Sequence, residues 1–181
     1  MKRLFVGIEL PKKLRERINK ELIEQLSTLK KTPIENLHVT LSFIGEVNEA
    51  GEKEITKRLD EINFEKFNVL IGGCGEFDKR VIWVSVEGRE LYLLADAVSK
   101  TLRTDNEFSG HVTIARMRDE TEFEKEYPKI RHKKIYETVE VKKFALFEST
   151  LTPNGSIYKK ISEFDGKKET TAKVNAKESK K

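Results

Sequence analysis

The sequence predicts an α+β fold of two similar lobes, each an antiparallel sheet with helices on its outer face, with a cleft between the lobes. Two observations lead to this prediction. Short apolar or alternating segments, typical of strands, are separated by segments whose apolar residues recur at helical spacing. The same order of elements then occurs twice along the chain, at about residues 3–75 and 79–148. Mixed strands and helices of this kind favour sheets that are covered by helices on one face.

The first repeat reads strand, helix, strand, helix, strand. Residues 4–10 are almost all apolar, as in a buried strand, and Pro11 suits the first turn of a helix. Residues 37–44 alternate apolar and polar side chains, which predicts a half-buried strand. Residues 67–71 predict another strand, closed by a glycine-rich stretch at 72–75 that we interpret as a bulge or turn. The helical stripes between these strands are Leu14, Ile18, Leu22, Leu26 and Leu29, and then Ile55, Leu59 and Ile62.

The second repeat follows the same order. Residues 81–86 predict a strand, and a strand begins again at 111–114. The charged stretch 119–129 has room for a short helix, and 138–147 predicts one strand. A last strand over 156–164 follows a turn rich in Pro, Asn and Gly. The helical stripe of this repeat consists of Leu91, Leu94, Ala95, Val98 and Leu102.

The charge of the chain is concentrated at one end. The 181 residues carry a formal charge of +4, but residues 166–181 contain six of the 35 Lys and Arg and two of the 31 Asp and Glu, which leaves 29 of each elsewhere. The basic balance therefore does not by itself indicate a nucleic-acid-binding face on the folded part. We expect one two-lobed domain over residues 1–165 and a disordered, Lys-rich tail over 166–181.

The number of cysteines and the hydropathy of the chain bear on its cellular compartment. Cys74 is the only cysteine, so an intramolecular disulfide is impossible, which fits a reducing environment. No apolar run is long enough to span a membrane, and the first residues read as a strand and not as a signal peptide. We therefore expect a cytoplasmic protein with no membrane partner.

Two histidines stand in one repeated pattern. His38 and Thr40 share one face of their predicted strand, and His111 and Thr113 share one face of theirs, 73 positions further along the chain. Hydrolysis of a cyclic phosphodiester requires water to lose a proton and the leaving sugar oxygen to gain one. Two imidazoles that titrate near neutral pH can do both, one neutral and one protonated, from opposite sides of the phosphorus. A threonine hydroxyl two residues after each histidine can donate to the phosphate oxygens, where charge gathers in the transition state.

These paired segments resemble the signature of the two-histidine phosphoesterase superfamily, and most closely its RNA 2′,3′-cyclic phosphodiesterase branch, historically called 2′-5′ RNA ligase. The resemblance extends over about residues 3–164. The segments that carry it are residues 3–8 (RLFVGI), 35–45 (ENLHVTLSFIG), 81–84 (VIWV), 111–116 (HVTIAR) and 148–158 (ESTLTPNGSIY).

The resemblance implies roles for individual residues. Members of this family open a 2′,3′-cyclic phosphate to a 2′-phosphate without a metal or another cofactor. The same acid and base can also catalyse the reverse reaction, 2′-5′ RNA ligation. His38 would be the proton donor to the departing 3′ oxygen, and His111 the proton acceptor that activates water. Thr40, Thr113 and Arg116 would bind the phosphate. Strict alternation places Arg116 on the face opposite His111, so this role requires a bulge or a strand end.

The expected partner is RNA with 2′,3′-cyclic phosphate ends, tRNA fragments among them, and we expect the protein to act as a monomer. Two alternatives stay open at this point: a non-catalytic nucleotide- or RNA-binding module on the same fold, and a cyclic phosphodiesterase for small nucleotides such as an ADP-ribose cyclic phosphate.

One cysteine and three separated histidines do not form a zinc-ligand cluster at the usual spacing. The pattern predicts that Trp83 and Phe43 lie in the core, and it makes Tyr158 and Phe77 candidates for stacking on a base. His132 is predicted to lie in a solvated basic loop.

Overall fold

The computed structural model describes residues 1–28, 30–105, 107–153 and 155–167 of the chain. Within these ranges, strands and helices follow one another in the predicted order, β-α-β-α-β twice, and two further strands complete the fold. The elements are β1 (Lys2–Glu9), α1 (Lys12–Glu21), β2 (His38–Val47), α2 (Glu49–Asp60), β3 (Phe67–Phe77), β4 (Val81–Glu87), α3 (Arg89–Leu102), β5 (His111–Arg116), α4 (Glu120–Glu126), β6 (Lys134–Val141), β7 (Lys143–Thr152) and β8 (Gly155–Asp165).

The eight strands form one antiparallel sheet in the order β6-β3-β4-β5-β2-β1-β7-β8. Its two halves meet where β2 pairs with β5, and this junction consists of a single residue pair, Val39 and Val112. One half therefore contains β6, β3, β4 and β5, and the other contains β2, β1, β7 and β8. The predicted α+β fold with two antiparallel lobes is confirmed.

The halves of the sheet do not coincide with the sequence repeats. Strand β3 of the first repeat pairs with β4 of the second, and β7 pairs with β1. Lys142 alone separates β6 from β7, although these strands belong to different halves. The prediction of one strand over 138–147 was therefore wrong. The chain crosses between the halves within an extended stretch that carries no turn residue, so the sequence pattern gave no sign of the crossing.

The core lies between the sheet and its helices. Each strand presents alternate apolar residues to it, such as Ile71, Val84 and Val112, because successive side chains of a strand point to opposite faces. Helix α1 ends at Glu21 and a 3-10 turn follows, so the predicted stripe does not form one continuous helix. Leu22 and Leu26 are nevertheless buried, and Leu29 lies outside the described residues.

Side-chain caps fix the start of two helices. The Asn48 side chain accepts a hydrogen bond from the Gly51 backbone N–H at 2.8 Å at the start of α2, and Asp119 does the same for Glu122 at the start of α4. The short helix predicted within 119–129 is therefore confirmed, and its capping residue explains where it begins.

The end of the described chain is bonded to the sheet. The Gly166 N–H donates to the Lys142 carbonyl at 2.7 Å, and the Lys167 N–H donates to the Phe64 carbonyl at 2.9 Å. These two residues therefore differ from the prediction of a disordered tail starting at 166, while residues 168–181 lie outside the described part. Across that part, no helix combines the length and the apolar character that a membrane crossing requires.

Candidate active site

A cavity of about 560 Å³ opens where the two halves of the sheet meet. Both halves line it, because β2 and β5 are the strands on either side of the junction and each brings its His-Val-Thr segment to the same face. All five residues that the sequence singled out for a site line this one cavity. They are His38, Thr40, His111, Thr113 and Arg116.

The His38 ring is held at both nitrogens. Its Nδ1 lies 2.6 Å from the Asn36 carbonyl oxygen, and its Nε2 lies 2.9 Å from the Thr40 hydroxyl. A carbonyl oxygen only accepts, so Nδ1 carries the proton and Nε2 is the basic nitrogen when the ring is neutral. Asn36 is itself fixed, because its side-chain amide donates to the Ser156 carbonyl at 2.7 Å. The first histidine is thus oriented from β8 through Asn36.

His111 repeats this arrangement in the other half of the sheet. Its Nδ1 lies 2.8 Å from the Ser109 carbonyl oxygen, again two residues before the histidine. The same argument places the proton on Nδ1 and leaves Nε2 for chemistry. Two neutral imidazoles of the same tautomer therefore line one cavity, each fixed by the backbone just before its strand.

The surroundings hold both rings toward the neutral form. Burial lowers the pKa of His38 below the usual 6.5, and a charge on His111 lowers it further, while the Asn36 carbonyl and Glu9 act in the opposite direction. Burial also lowers the pKa of His111; the hydrogen bond to Ser109 opposes this, and the charge of Arg116 adds to it. A bound anion would stabilise an imidazolium here, so protonation of one ring is expected to be coupled to phosphate binding.

Matching bulges in the two strands bring a third side chain into the cavity. In β5 the pairing with β4 shifts next to Ile114, which turns Arg116 to the cavity side, so the bulge that its proposed role requires is present. In β2 the pairing with β1 shifts next to Leu41, and Phe43 then occupies the position five residues after His38. One half of the sheet thus presents a guanidinium where the other presents a phenyl ring.

The bulge in β2 corrects two assignments made from strict alternation. Phe43 was expected in the core, but it is 57% exposed and lines the cavity. Strict alternation after His38 and Thr40 places Ser42 on the same face, but Ser42 is buried and its hydroxyl is 2.8 Å from that of Thr104. An inserted residue shifts every later side chain to the other face, which is why the alternation failed after Leu41.

An aromatic ring meets each imidazole edge-on. Tyr158 lies 5.1 Å from His38 with an interplanar angle of 87°, and Phe77 lies 5.0 Å from His111 with an angle of 88°. Both rings line the cavity, as expected for residues suggested to stack on a base, and each also restricts the position of its histidine. Trp83, which was expected in the core, is half-buried and lies 6.4 Å from His111.

Gly7 permits the close approach of β1 to His38. A Cβ atom at this position would lie 2.8 Å from the Val39 carbonyl oxygen and 3.3 Å from a ring carbon of His38. Any other residue would therefore push the first histidine or its strand aside. The glycine was part of the quoted opening segment, but its contact with His38 depends on strand pairing that sequence alone does not give.

Sequence reasoning also missed residues that complete the cavity. Arg3 and Ser149 line it, and Asn36 orients His38 from outside the motif. Arg3 and Arg116 thus place two basic residues in the lining of the cavity. No local pattern marks such residues, because they reach the cavity through strand order and not through spacing along the chain.

The remaining reactive groups contribute little to this cavity. Burial raises the pKa of the Cys74 thiol to about 11, which keeps it protonated at neutral pH. In the part of the chain that the structure describes, no three His, Cys, Asp or Glu side chains are grouped closely enough to bind a metal ion. His132 lies in a turn, as predicted, and accepts a hydrogen bond from Arg131.

Comparison with known proteins places this arrangement in a family. Residues 10–152, which contain both His-Val-Thr segments, match the family model described as the 2′-5′ RNA ligase superfamily. The chain belongs to this superfamily. An RNA 2′,3′-cyclic phosphodiesterase of Archaeoglobus fulgidus is 34% identical over 90% of this chain and 99% of its own. One of Aeropyrum pernix is 38% identical over 71% of this chain and 81% of its own.

Solved structures of other proteins show the same fold. The crystal structure of E. coli LigT complexed with 3′-AMP has a TM-score of 0.78, at 23% identity over 91% of this chain and 97% of that protein. TT0787 of Thermus thermophilus has a TM-score of 0.75, at 24% identity over 90% and 97%. The superfamily fold therefore extends over nearly all of the described chain.

Proposed function

We propose that this protein is an RNA 2′,3′-cyclic phosphodiesterase that hydrolyses a terminal 2′,3′-cyclic phosphate to a 2′-phosphomonoester by two-histidine acid–base catalysis. One observation carries the proposal: His38 and His111 face one cavity, and each has Nδ1 bonded to a backbone carbonyl, which makes Nε2 the nitrogen for proton transfer. The similarity to RNA 2′,3′-cyclic phosphodiesterases at 34% and 38% identity supports the same reaction.

The proposed step is an in-line displacement at phosphorus. Nε2 of neutral His111 takes a proton from water as the water oxygen forms a bond to phosphorus. The bond from phosphorus to the 3′ oxygen breaks, and the 3′ oxygen takes the proton from Nε2 of protonated His38. The products are a 2′-phosphate and a 3′-hydroxyl, with His38 neutral and His111 protonated. Proton exchange with solvent then restores the starting state.

The residues beside the histidines hold the phosphate. Thr40 and Thr113 line the cavity together with Arg116, and hydroxyl and guanidinium groups are donors that suit phosphate oxygens. Their donors would bind the non-bridging oxygens, which gain charge in the transition state. In the free protein the Thr40 hydroxyl is bonded to Nε2 of His38, so substrate binding must exchange this bond: Thr40 turns to a phosphate oxygen, and Nε2 becomes available to the leaving oxygen.

The site supports a monomeric enzyme, because residues of a single chain supply both histidines and the phosphate donors. The proposed partners are RNAs with 2′,3′-cyclic phosphate ends, tRNA fragments among them. A cytoplasmic location is proposed from the single cysteine, which fits a reducing compartment.

The test is hydrolysis of an oligoribonucleotide that ends in a 2′,3′-cyclic phosphate, with EDTA present throughout. We expect turnover that EDTA does not reduce and a product carrying the phosphate on the 2′ oxygen, because the 3′ oxygen is the proposed leaving group. A 3′-phosphate product would contradict the assignment of the leaving oxygen. No turnover by folded protein that still binds nucleotides would contradict the proposed function itself.

A further inference from the structure

A continuous strip of residues extends across the sheet from His111 to its β6 edge. His111 on β5 pairs with Ser85 on β4, the bulged glycines Gly72 and Gly73 of β3 lie next to Ser85, and Gly73 pairs with Lys134 on β6. Directly paired side chains lie on the same face of a sheet, so the strip shares the face on which His111 meets the cavity. Neighbouring strands are about 4.8 Å apart, which places Lys134 roughly 14 Å from His111.

The middle of this strip is low. Gly72 and Gly73 have no side chains of their own, and the short Ser85 side chain covers Gly72, because a Cβ there would lie 2.2 Å from its hydroxyl oxygen. The Glu87 carboxylate also lies close, 3.3 Å from the same position. The Trp83 indole lies directly over Gly75 and forms one side of the depression, because a Cβ on Gly75 would lie 2.1 Å from its ring. The result is a shallow trough with an aromatic wall, open at one end toward the catalytic cavity.

The far end of the trough carries an unusual aromatic residue. Tyr136 is 62% exposed and has a φ of 46°, in the left-handed region that bulky residues rarely adopt. The Lys134 ammonium lies over its ring, 5.2 Å from the centroid. A lysine on an edge strand protects the edge from pairing with other chains. Tyr136 lies where the pairing of β3 with β6 shifts, and this bulge accounts for its φ. Neither the bulge nor the edge lysine accounts for a tyrosine ring that is exposed to solvent.

The charge at this end suits a polyanion. Residues 129–134 contain four cations and no acidic residue, but Lys129 is paired with Glu126 and the Lys133 ammonium donates to the Glu21 carbonyl. Arg131 and Lys134 therefore supply the charge that a ligand could meet at this end. Glu87 lies on the same face as Ser85, to which it is hydrogen bonded at 3.2 Å, and it limits the basic surface on one side. The trough thus combines a π face, a cation and a low floor, which are the features that bind single-stranded nucleic acid.

We propose that this trough binds the RNA chain preceding the terminal nucleotide, with Tyr136 stacking on a base and Lys134 contacting a phosphate. The inference rests on the proposed function, because it takes the cyclic phosphate to lie between His38 and His111. It also specifies the substrate class: an RNA chain several nucleotides long is preferred over a cyclic mononucleotide, which would leave the trough empty.

The experiment compares the kcat/KM values of two substrates. The kcat/KM for a short oligoribonucleotide with a cyclic phosphate end is divided by the kcat/KM for the cyclic mononucleotide with the same base. We expect a ratio well above one in the parent protein. Tyr136→Ala should lower the ratio about tenfold, mainly through KM, because one stacked base is lost. Tyr136→Phe keeps the ring and should restore most of the preference.

Lys134→Ala should lower the same ratio and reduce its salt dependence. Loss of one phosphate contact should decrease the slope of log kcat/KM for the oligonucleotide against log salt by about 0.7. The matched controls are Leu93→Ala, at a side chain of similar exposure on α3, and Lys53→Ala on α2. Both controls should leave the ratio at the parent value.

Binding is measured in parallel, so that the two proposals can fail separately. The probe is an oligoribonucleotide with a 2′-phosphate end, and its affinity is compared in the parent protein, Tyr136→Ala and Lys134→Ala. Weaker binding in both variants supports the proposal that the trough binds RNA, even if the protein does not hydrolyse the cyclic phosphate. A parent ratio near one, or variants that match the controls in ratio and affinity, would overturn the inference while leaving the proposed hydrolysis intact.

Discussion

At the scale of single residues, the proposed chemistry depends on which ring nitrogen of each histidine is available for proton transfer. Both rings donate Nδ1–H to a carbonyl two residues earlier, so the chain just before each strand selects the tautomer. The same burial that fixes the rings lowers the pKa of each. An acid–base pair that rests neutral must gain its single proton when the anionic substrate arrives.

This coupling predicts the pH dependence. Because both pKa values lie below 6.5 in the free protein, kcat/KM should follow a bell whose centre is below pH 6.5. The acidic limb reports His111, which must lose its proton to act as base, and the basic limb reports His38, which must keep its proton to act as acid. Because both pKa values are lowered, both limbs lie at lower pH than for free imidazoles. The bound anion favours the imidazolium, so the bell for kcat should lie at higher pH. The two profiles are measured on a cyclic mononucleotide, and a kcat/KM optimum clearly above 6.5 would contradict the account.

At the scale of elements, two bulges decide what faces the substrate. The shifts next to Leu41 and Ile114 turn Phe43 and Arg116 into the cavity at equivalent positions of β2 and β5. One lobe thereby supplies a cation for phosphate, and the other supplies a ring that a base can stack on. The pseudo-symmetry of the strands produces an asymmetric site.

Arg116 gives a prediction with two readouts. In Arg116→Ala, kcat/KM should fall by about tenfold or more, since a charged hydrogen bond to phosphate contributes about 1.5–3 kcal/mol. The charge that lowers the pKa of His111 is also removed, so the acidic limb of the kcat/KM profile should move to higher pH. Arg116→Lys is the control and should keep the limb near its parent position. An acidic limb that stays fixed in Arg116→Ala would show that this charge does not act on His111.

The same elements show what the sequence could and could not predict. The two histidines, both threonines and the order of strands and helices follow from periodicity and from one repeated tetrapeptide. The exposure of Phe43 could not be predicted, because a bulge is invisible in an alternating pattern. The division at Lys142 was missed for a related reason: strand pairing across the molecule, and not any local residue preference, ends β6 and begins β7.

At the scale of the whole molecule, the two histidines of the proposed catalytic pair lie on either side of a narrow junction. The halves of the sheet are paired through Val39 and Val112, each directly next to one of the two histidines. The two sequence repeats are also joined by strand pairing within each half, because β3 of the first repeat pairs with β4 of the second, and β7 of the second pairs with β1 of the first. The distance between the two imidazoles is thus set by the packing of the entire sheet, which explains why spacing along the chain alone could not fix it.

Deletion of residues 168–181 tests whether the folded part is sufficient. Among the described residues, those that line the cavity lie between Arg3 and Tyr158, so kcat/KM for a cyclic mononucleotide should stay at the parent value. The segment carries five of the six tail lysines, so some salt-sensitive affinity for long RNA should be lost. The assay compares the two proteins at low and moderate salt. A large loss of activity on the mononucleotide would show that the tail contributes to the site.

The central claim is that His38 acts as the acid and His111 as the base, and a sulfur substitution tests it most directly. In a cyclic phosphate whose 3′ bridging oxygen is replaced by sulfur, the leaving thiolate needs little protonation, because thiols are far more acidic than alcohols. On the oxygen substrate, His38→Ala and His111→Ala should each lose about 10²–10⁴-fold in rate. On the sulfur substrate, His38→Ala should recover most of the parent rate while His111→Ala stays impaired. Equal defects on both substrates, or recovery by His111→Ala instead, would contradict the assigned roles.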